Sequence, residues 1–363
     1  MILPTAIINL KNLRNNIKYI KSICGSSLLY PVIKADAYGH GINRISKFLN
    51  AESIEGVCVA TINEIIDIIK LDLDMNIFHL GKVILNEDRL FDDRIIFTIN
   101  SIDDIPYVEK ACSQYNRKIR CHIKVDTGMN RMGCKESDFI RILDKCSESQ
   151  YIILEGIYSH LCHADDVNSL KNNKQINLFE KIIKQSNKYH VKYHILNSAG
   201  VFNFSKSKLD LVRCGLSLYG ISPLNSINSN LSPVMELKAP VILIKNINKN
   251  ETVGYGCTYK ADKSQKIAII QCGYADGIPT NFGNKAYVYY NKYKFPIIGR
   301  VSMDLICINI SDLDDSEILD EVTIWGGYQE SSRLELISKK FDTIPYVYLT
   351  NLSNRVKRVY IEN

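Results

Sequence analysis

The sequence lacks the long apolar run that a membrane-spanning helix requires. No stretch of its 363 residues approaches the roughly 18 consecutive apolar residues of such a helix, so we expect no membrane partner. The first ten residues, MILPTAIINL, carry neither a basic leader nor a small-residue cleavage site, and we therefore expect no secretory signal. Internal repeats and low-complexity tracts are also missing, which argues against a disordered, collagen-like or coiled-coil protein.

The eleven cysteines include no CxxC pair. The usual spacings of zinc sites and thioredoxin-like redox motifs are therefore absent. An odd number of cysteines without a secretory signal favours reduced thiols in a cytoplasmic protein. We also expect no metal site and assign a structural role to six histidines whose spacing is not that of metal ligands: His40, His79, His122, His163, His190 and His194.

Basic residues are not concentrated in any part of the chain. Lysine and arginine number 45 against 39 acidic residues, and this dispersed surplus is typical of a solvated surface. We therefore expect no nucleic-acid partner. The 46% of hydrophobic residues and the length are those of a globular protein with room for two domains.

From about residue 30, short apolar runs alternate with stretches of helical spacing such as Ile62, Ile65, Ile66 and Ile69. Continuous apolar strands separated by helices indicate a parallel sheet that is buried on both faces. Eight such units in about 200 residues predict a (β/α)8 TIM-type barrel over residues 11–228, with a doubly wound open sheet as the alternative. The runs are LLYPVIK (28–34), GVCVAT (56–61), NIFHL (76–80), RIIFTI (94–99), RCHIKVD (120–126), EGIYSH (155–160), YHILNS (193–198) and LDLVRCG (209–215).

The pattern changes after residue 224. The polar stretch NSINSNLSP (225–233) is typical of a linker. Runs rich in β-branched and aromatic residues follow, interrupted by one helical stretch, SRLELISKKF, and they predict a mainly β C-terminal domain over residues 229–363. We expect residues 1–10 to form a strand that packs with this domain.

Polar residues stand where the predicted barrel strands end, which is where such barrels place their active sites. Lys34 ends one run, and partial burial there should depress its pKa from about 10.4 and favour the neutral amine that Schiff-base formation requires. The alternative is a lysine that extends out of the barrel rim. The next residues, ADAYGHG, predict a flexible loop with a phenol, Tyr38, near the amine.

The eighth run leads into Arg213 and Gly215. A glycine that opens a short helix after the eighth strand is where such barrels hold phosphate, and Ser198 can add a hydroxyl group. Arg213 is a fixed hydrogen-bond donor, and His160 can stack on a flat ring or act as an acid. A cofactor-bonded lysine together with a phosphate site indicates pyridoxal phosphate.

The sequence resembles the bacterial alanine racemases, the barrel-type pyridoxal-phosphate enzymes. The motifs occur in the family's order: VIKADAYGHG (32–41), KVDTGMNRMG (124–133), GIYSHLCHADD (156–166), LNSAG (196–200), VRCGLSLYG (212–220), GYGCTY (254–259), GYADG (273–277) and GRVSMD (299–304). The resemblance implies a homodimeric enzyme that interconverts L- and D-alanine, with pyridoxal 5'-phosphate as cofactor, and supplies D-alanine for peptidoglycan.

The resemblance also implies roles for single residues. Lys34 holds the cofactor and is one base, and Tyr255 from the partner subunit is the base on the opposite face. Arg131 holds Tyr255 and lies near the cofactor's phenolic oxygen and the substrate, Arg213 donates to the pyridine nitrogen, and His160 supports the ring. The remaining implied cofactor contacts are Tyr38, Asn197, Ser198, Gly215 and Leu216. The implied substrate contacts are Met303 and Asp304, which approach the substrate carboxylate from the other subunit, together with Tyr274 and Asn354. Lys124 corresponds to a lysine that is carbamylated in many family members.

Two bases on opposite faces of the substrate are what racemisation needs, because one proton leaves one face of Cα and another arrives on the other. The chain departs from the family at Thr280 and Asn354, where arginine and tyrosine are usual in the substrate access channel. These departures put the substrate specificity in doubt rather than the chemistry. Three alternatives stay open. They are a serine or broad-specificity racemase, a non-catalytic pyridoxal-phosphate carrier, which normally lacks the β domain, and a basic amino-acid decarboxylase, which should not carry GYGCTY.

Overall fold

Strand β1 (Thr5–Asn9) and helix α1 (Leu10–Cys24) begin the part of the chain that the computed structural model describes, residues 3–224 and 226–362. Parts of three predicted segments lie outside the described residues: Met1 and Ile2 of the N-terminal strand, Asn225 of the linker and Asn363 of the C-terminal domain. The chain divides into two units. We call residues 16–218 and 222–230 the barrel unit, and the described residues up to 15, 219–221 and from 231 onward the β unit.

The barrel unit contains eight short parallel strands. They are β2 (Leu28–Leu29), β3 (Gly56–Val59), β4 (Asn76–His79), β5 (Ile95–Ile99), β6 (Ile119–Lys124), β7 (Ile152–Tyr158), β8 (Lys192–His194) and β9 (Leu211–Val212). Strands β3 to β8 pair in sequence order and β2 pairs with β9. The backbone bridges Val32–Cys58 and Asn197–Arg213 join the two sets, so the barrel closes. The predicted (β/α)8 barrel is confirmed, and the open doubly wound sheet is wrong.

Most barrel strands are followed by a helix. The helices are α2 (Ile42–Ala51), α3 (Ile62–Ile69), α4 (Asp104–Tyr115), α5 (Glu136–Glu148), α6 (Leu170–Ser186) and α7 (Ser198–Asn203). Helix α3 buries Ile65 and Ile68 and begins at Thr61, whose hydroxyl accepts from the N–H of Glu64. After β4 and β9 the connection contains only a 3₁₀ helix, at Asp88–Phe91 and Leu216–Tyr219.

The β unit is built around one long strand, β10 (Met235–Ile247). The strands that follow are β11 (Thr252–Val253), β12 (Tyr259–Lys260), β13 (Gln265–Ile270), β14 (Tyr287–Tyr290), β15 (Tyr293–Ile298), β16 (Ile306–Asn309), β17 (Glu321–Trp325) and β18 (Lys357–Ile361). Strand β10 pairs with β17 in its first half and β13 in its second, so six strands close in the order β10-β13-β16-β15-β14-β17. Strand β1 lies between β10 and β18.

The mainly β character of this unit is confirmed. Helix α8 (Leu334–Lys340) lies in the predicted helical stretch, but the structure adds a second helix, α9 (Pro345–Thr350), that the sequence analysis missed. Its signal was a proline at the first helical position, which is tolerated there because that N–H has no helical partner. No helix among residues 3–224 and 226–362 has the length and apolar character needed to cross a membrane.

Candidate active site

Lys34 lies just beyond the first barrel strand, at the carboxyl edge of the barrel. The segment before it is held from both sides, since Val32 N–H donates to Cys214 O at 2.7 Å and Ile33 N–H to Cys58 O at 2.9 Å. Burial lowers the pKa of the Lys34 amine, and the positive charge of Arg131 lowers it further. This is the direction that the sequence predicted, and it favours the neutral amine.

The segment Lys34–Tyr38 forms one helical turn, and the four residues after Lys34 have φ between 52° and 55°. This left-handed geometry costs about 1–2 kcal/mol for each residue other than glycine, so surrounding contacts must hold it. The Asp36 carboxylate accepts from Ile42 N–H at 2.7 Å, and His40 Nδ1 lies within 3.0 Å of two carbonyl oxygens of the turn. The structure therefore has a hydrogen-bonded helical turn where the sequence predicted a loop.

Tyr38, Ser198 and Gly215 meet at the ends of neighbouring strands. Gly215 N–H donates to Ser198 Oγ at 2.8 Å. A Cβ atom on residue 215 would lie 2.4 Å from Tyr38 Oη, so only glycine lets the phenol approach the backbone there. Leu216 then opens a 3₁₀ helix. Hydroxyl groups and backbone converge here on a small cradle of the kind that suits a phosphate group.

Arg213 is buried, and its guanidinium group is fixed by several partners. One nitrogen, Nη2, donates to Ser159 O at 2.6 Å, and Nη1 is bonded to His194 Nδ1. Because arginine only donates, His194 accepts on Nδ1 and carries its own proton on Nε2, which lies 2.8 Å from His122 Nδ1. Burial lowers the pKa of both imidazoles, that of His122 to about 3, so both rings stay neutral. The chain of contacts therefore fixes the direction in which Arg213 donates.

His160 and Asn197 lie beside this arginine. His160 Nδ1 is 3.4 Å from Arg213 Nη2, and its Nε2 is 3.4 Å from the Asn197 amide nitrogen. Burial and then the charge of Arg213 hold the pKa of His160 well below its usual range. A neutral ring suits stacking better than it suits proton donation. Asn197 Oδ1 also caps helix α7 by accepting from Gly200 N–H at 3.0 Å.

Lys124 and Arg131 add further positive charge to this edge. Lys124 is buried, and burial followed by the charges of Arg213 and Arg131 lowers the pKa of its amine to about 8. The Asp126 carboxylate accepts from three successive N–H groups of residues 128–130 and so shapes the loop that carries Arg131. With Lys34 and Arg213, the edge gathers four basic side chains, a set that an anionic ligand would stabilise. An amine with a lowered pKa, a phosphate cradle and this excess of positive charge together fit pyridoxal phosphate.

The predicted substrate contacts of the C-terminal domain lie on three bonded loops of the β unit. Tyr274 N–H donates to Ser302 O at 3.0 Å. Arg355 spans the loops, with its guanidinium 2.7 Å from Asp304 and 3.3 Å from the buried carboxylate of Asp276. The loops carry the four residues Tyr274, Met303, Asp304 and Asn354. Thr280, the other departure from the family, begins a short 3₁₀ helix after the first of these loops.

Tyr255 lies on a separate turn of the β unit, and 73% of its surface is exposed. It stands between Gly254 and Gly256, whose φ values of 73° and 72° are left-handed. A Cβ atom on residue 256 would lie 3.2 Å from the guanidinium carbon of Arg300, so this turn packs closely on the strand end that leads to Met303. The phenol is therefore presented outward from its own β unit.

Two side chains that the sequence analysis missed organise the barrel edge. Gln175 donates to His160 O at 3.0 Å and to Thr127 Oγ1 at 3.2 Å, and its carbonyl accepts from Cys162 N–H at 2.9 Å. Glu64 accepts a hydrogen bond from the backbone next to Lys34. The sequence signal for Glu64 was the Thr-x-x-Glu pattern of a helix start, whereas Gln175 lies inside helix α6 without any local signal. In the described part of the chain, no three His, Cys, Asp or Glu side chains are grouped as metal ligands.

Comparison with known protein families gives two adjacent matches. The family described as "Alanine racemase, N-terminal domain" matches residues 8–223, and "Alanine racemase, C-terminal domain" matches residues 234–360. The alanine racemase of Halothermothrix orenii is 33% identical over 367 residues, which cover 98% of this chain and 97% of that protein. The alanine racemase of Rickettsia africae is 34% identical over 365 residues, covering 99% of this chain and 100% of that protein.

Solved structures give the same result. The alanine racemase from D-cycloserine-producing Streptomyces lavendulae matches with a TM-score of 0.92 at 26% identity, covering 100% of this chain and 98% of that one. The alanine racemase from Bartonella henselae with covalently bound pyridoxal phosphate matches with a TM-score of 0.88 at 30% identity, covering 99% of both chains.

Proposed function

The chain belongs to the alanine racemase family and is a pyridoxal-phosphate-dependent isomerase of L- and D-alanine, and we propose that Lys34 and Tyr255 are its two catalytic bases. The observation that carries this proposal is the Lys34 amine, which has a lowered pKa and lies at the edge of a closed barrel. Such an edge is where barrel enzymes place their reactive groups.

The barrel residues described above would hold the cofactor. Lys34 would bind it covalently, the Ser198–Gly215 cradle with Tyr38 and Leu216 would receive its phosphate, and Arg131 would face its phenolic oxygen. His160 and Asn197 would support the ring. Arg213, whose guanidinium is held by His194 and Ser159, would donate to the pyridine nitrogen. That nitrogen would stay unprotonated, because the guanidinium donates a hydrogen bond without giving up its proton. When bound, pyridoxal phosphate withdraws electrons from the substrate and makes its Cα proton acidic.

The chain's own residues then move the proton. The Lys34 amine would take or give the proton on one face of Cα, and the Tyr255 hydroxyl would do so on the other. Met303 and Asp304 would approach the substrate carboxylate in the partner's barrel, where Arg131 would also contact it. Tyr274 and Asn354 would line the access channel. Lys124, whose amine has a pKa of about 8, would be neutral in part near neutral pH and so able to take up carbon dioxide as a carbamate that braces Arg131.

We propose that the active form is a homodimer in which Tyr255 serves the partner's barrel. Tyr255 and Met303 are largely exposed on the β unit, at 73% and 52%. Strand β10 of the same unit exposes three consecutive apolar side chains, Ile242, Leu243 and Ile244. A partner subunit that covered this apolar strand would remove it from water and stabilise the assembly.

Two further statements belong to the same proposal. The eleven cysteines, all of which are described, are free thiols, which supports the reducing cytoplasm as the location. We propose that the D-alanine is used for peptidoglycan.

A racemase that also accepts serine is the alternative, and Asn354 favours it, since an asparagine leaves more space than tyrosine and can bond a hydroxyl group.

Reductive trapping tests the assignment of Lys34. The purified protein should be yellow, and borohydride should fix the cofactor covalently on Lys34, as mass spectrometry of peptides would reveal. The Lys34→Ala variant, as the matched control, should carry no covalent label. A label on Lys124 or any other lysine of the wild-type protein would contradict the assignment.

A further inference from the structure

Glu64, on the first turn of helix α3, bonds to the backbone at the ends of two barrel strands. Its Oε1 accepts from Ala35 N–H at 2.6 Å, and its Oε2 accepts from Ala60 N–H at 2.8 Å and Thr61 N–H at 3.1 Å. Ala35 directly follows Lys34, and Ala60 directly follows strand β3. One carboxylate therefore ties the end of the first strand to the end of the second.

Helix capping explains only part of this arrangement. In a capping box the third residue of the helix accepts from the backbone of the cap residue, and the Oε2 bond to Thr61 N–H does this. The Oε1 bond to Ala35 crosses 29 positions in the sequence and contributes nothing to the helix end. The second oxygen of Glu64 thus serves the segment that carries Lys34.

That segment needs such support. Ala35 is the first of four consecutive left-handed residues, none of which is glycine. The torsions at Ala35 set the direction of the chain immediately after Lys34, and therefore the position of the Lys34 side chain at the barrel edge. A charge-assisted bond to the N–H of this residue, from a carboxylate that is itself held at two other points, fixes those torsions.

We propose that Glu64 is a positioning residue for Lys34, holding its amine in line with the reacting Cα through the bond to Ala35. The inference rests on the role of Lys34 in the proposed function. It also implies an electrostatic effect, because burial and Arg131 lower the pKa of Lys34 whereas Glu64 and Cys58 raise it, and the amine of Lys124 lies close by. Loss of the Glu64 charge should therefore make the amine neutral at lower pH.

Glu64→Gln is the test variant, since it keeps the shape but places an amide NH2 against backbone N–H donors. Two control variants change the same helix without touching the Ala35 bond. Thr61→Val removes the capping hydroxyl, which accepts from Glu64 N–H at 3.3 Å, and Asp67→Asn removes a carboxylate that forms an exposed salt bridge with Lys70 at 3.4 Å. A thermal unfolding transition checks that each variant is folded. If Glu64→Gln is not folded, Glu64→Asp replaces it as the test variant.

The expected result separates Glu64 from its controls. In Glu64→Gln, kcat for alanine should fall about 10- to 100-fold with little change in KM, because a small displacement of a base costs rate rather than binding. In the cofactor-free protein, the pH at which Lys34 reacts with an amine reagent at half its maximal rate should be lower in Glu64→Gln than in the wild-type protein. Both controls should keep kcat within about threefold and leave that pH unchanged.

Two results would overturn the proposal. The first is a fall in kcat for Glu64→Gln that is no larger than the fall for Thr61→Val. The second is an unchanged pH of half-reaction of Lys34 in Glu64→Gln. Either result would show that Glu64 is only a helix cap. Failure of the proposed function would look different, since the wild-type protein itself would then show no covalent cofactor on Lys34.

Discussion

At the scale of single residues, the barrel edge depends on side chains whose protonation is set by their surroundings. Burial lowers the pKa of Lys34, Lys124 and His160, and Arg213 is fixed by hydrogen bonds to groups that can only accept from it. The two lysine amines and the imidazole are therefore neutral at a lower pH than they would be in water. Beside them, the guanidinium of Arg213 keeps its proton. This combination suits proton transfer at carbon.

The first residue-scale prediction concerns Asn354. A tyrosine there would narrow the channel beside the substrate's β-carbon, whereas asparagine leaves space and offers a donor and an acceptor. We expect serine to be racemised measurably beside alanine, with alanine preferred, and Asn354→Tyr to lower the ratio of kcat/KM for serine over alanine. A site that merely tolerates a hydroxyl discriminates by about a hundredfold or less, so the change should be within that range. A ratio that stays the same or rises would show that Asn354 does not admit serine.

The sequence could predict residues that belong to contiguous motifs, and it missed residues that act across the fold. Lys34, Arg213 and Gly215 stand at the ends of apolar runs, so their place at the barrel edge followed from the local pattern. Glu64 and Gln175 act through partners on other elements, at separations that no local pattern encodes. The left-handed turn was also missed, because ADAY contains no glycine and Asp36 is its only residue of a type that visits positive φ.

At the scale of elements, helical spacing and strand composition were sufficient for the barrel. Every predicted barrel run corresponds to a strand, and the predicted helical positions Ile62, Ile65, Ile66 and Ile69 all lie on α3, where Ile65 is buried. The residue spacing did not predict the two connections that contain only 3₁₀ turns, and it did not predict α9, which is only six residues long. Short elements make few periodic positions, so their signal is weak.

The buried histidines of the barrel strands give a prediction for pH dependence. His122 has a pKa of about 3 in the folded barrel, against 6.5 ordinarily. The unfolded chain therefore binds a proton that the folded chain refuses, and stability present above pH 6.5 is lost as the pH falls toward 3. Between pH 8 and pH 5 the loss from this residue should be about 2 kcal/mol.

Denaturant unfolding at both pH values measures this loss. His122→Gln, which can still bond to His194 but does not titrate, should lose less stability on acidification than the wild-type protein. An equal loss in the two proteins would mean that His122 is already protonated in the folded barrel or contributes nothing to the pH dependence.

At the scale of the whole molecule, the proposed bases lie in different units of the chain, Lys34 in the barrel unit and Tyr255 in the β unit. If Tyr255 serves the partner, mixed dimers of inactive Lys34→Ala and inactive Tyr255→Phe subunits should regain activity, because one site would contain both bases. About half of the sites in such a heterodimer would be intact. A verified heterodimer without turnover would show that each site is built from a single chain. The Lys34→Ala homodimer, carried through the same mixing procedure alone, provides the blank.

The exchange of the Cα proton with solvent tests the central claim, two bases on opposite faces, most directly. In deuterium oxide, NMR of L- and D-alanine incubated separately with the wild-type enzyme should show deuterium entering both, together with inversion. With Tyr255→Phe, inversion should be lost, and exchange should persist for only the one enantiomer whose proton faces Lys34. Exchange of both enantiomers at similar rates by Tyr255→Phe, or continued inversion, would contradict the two-base account.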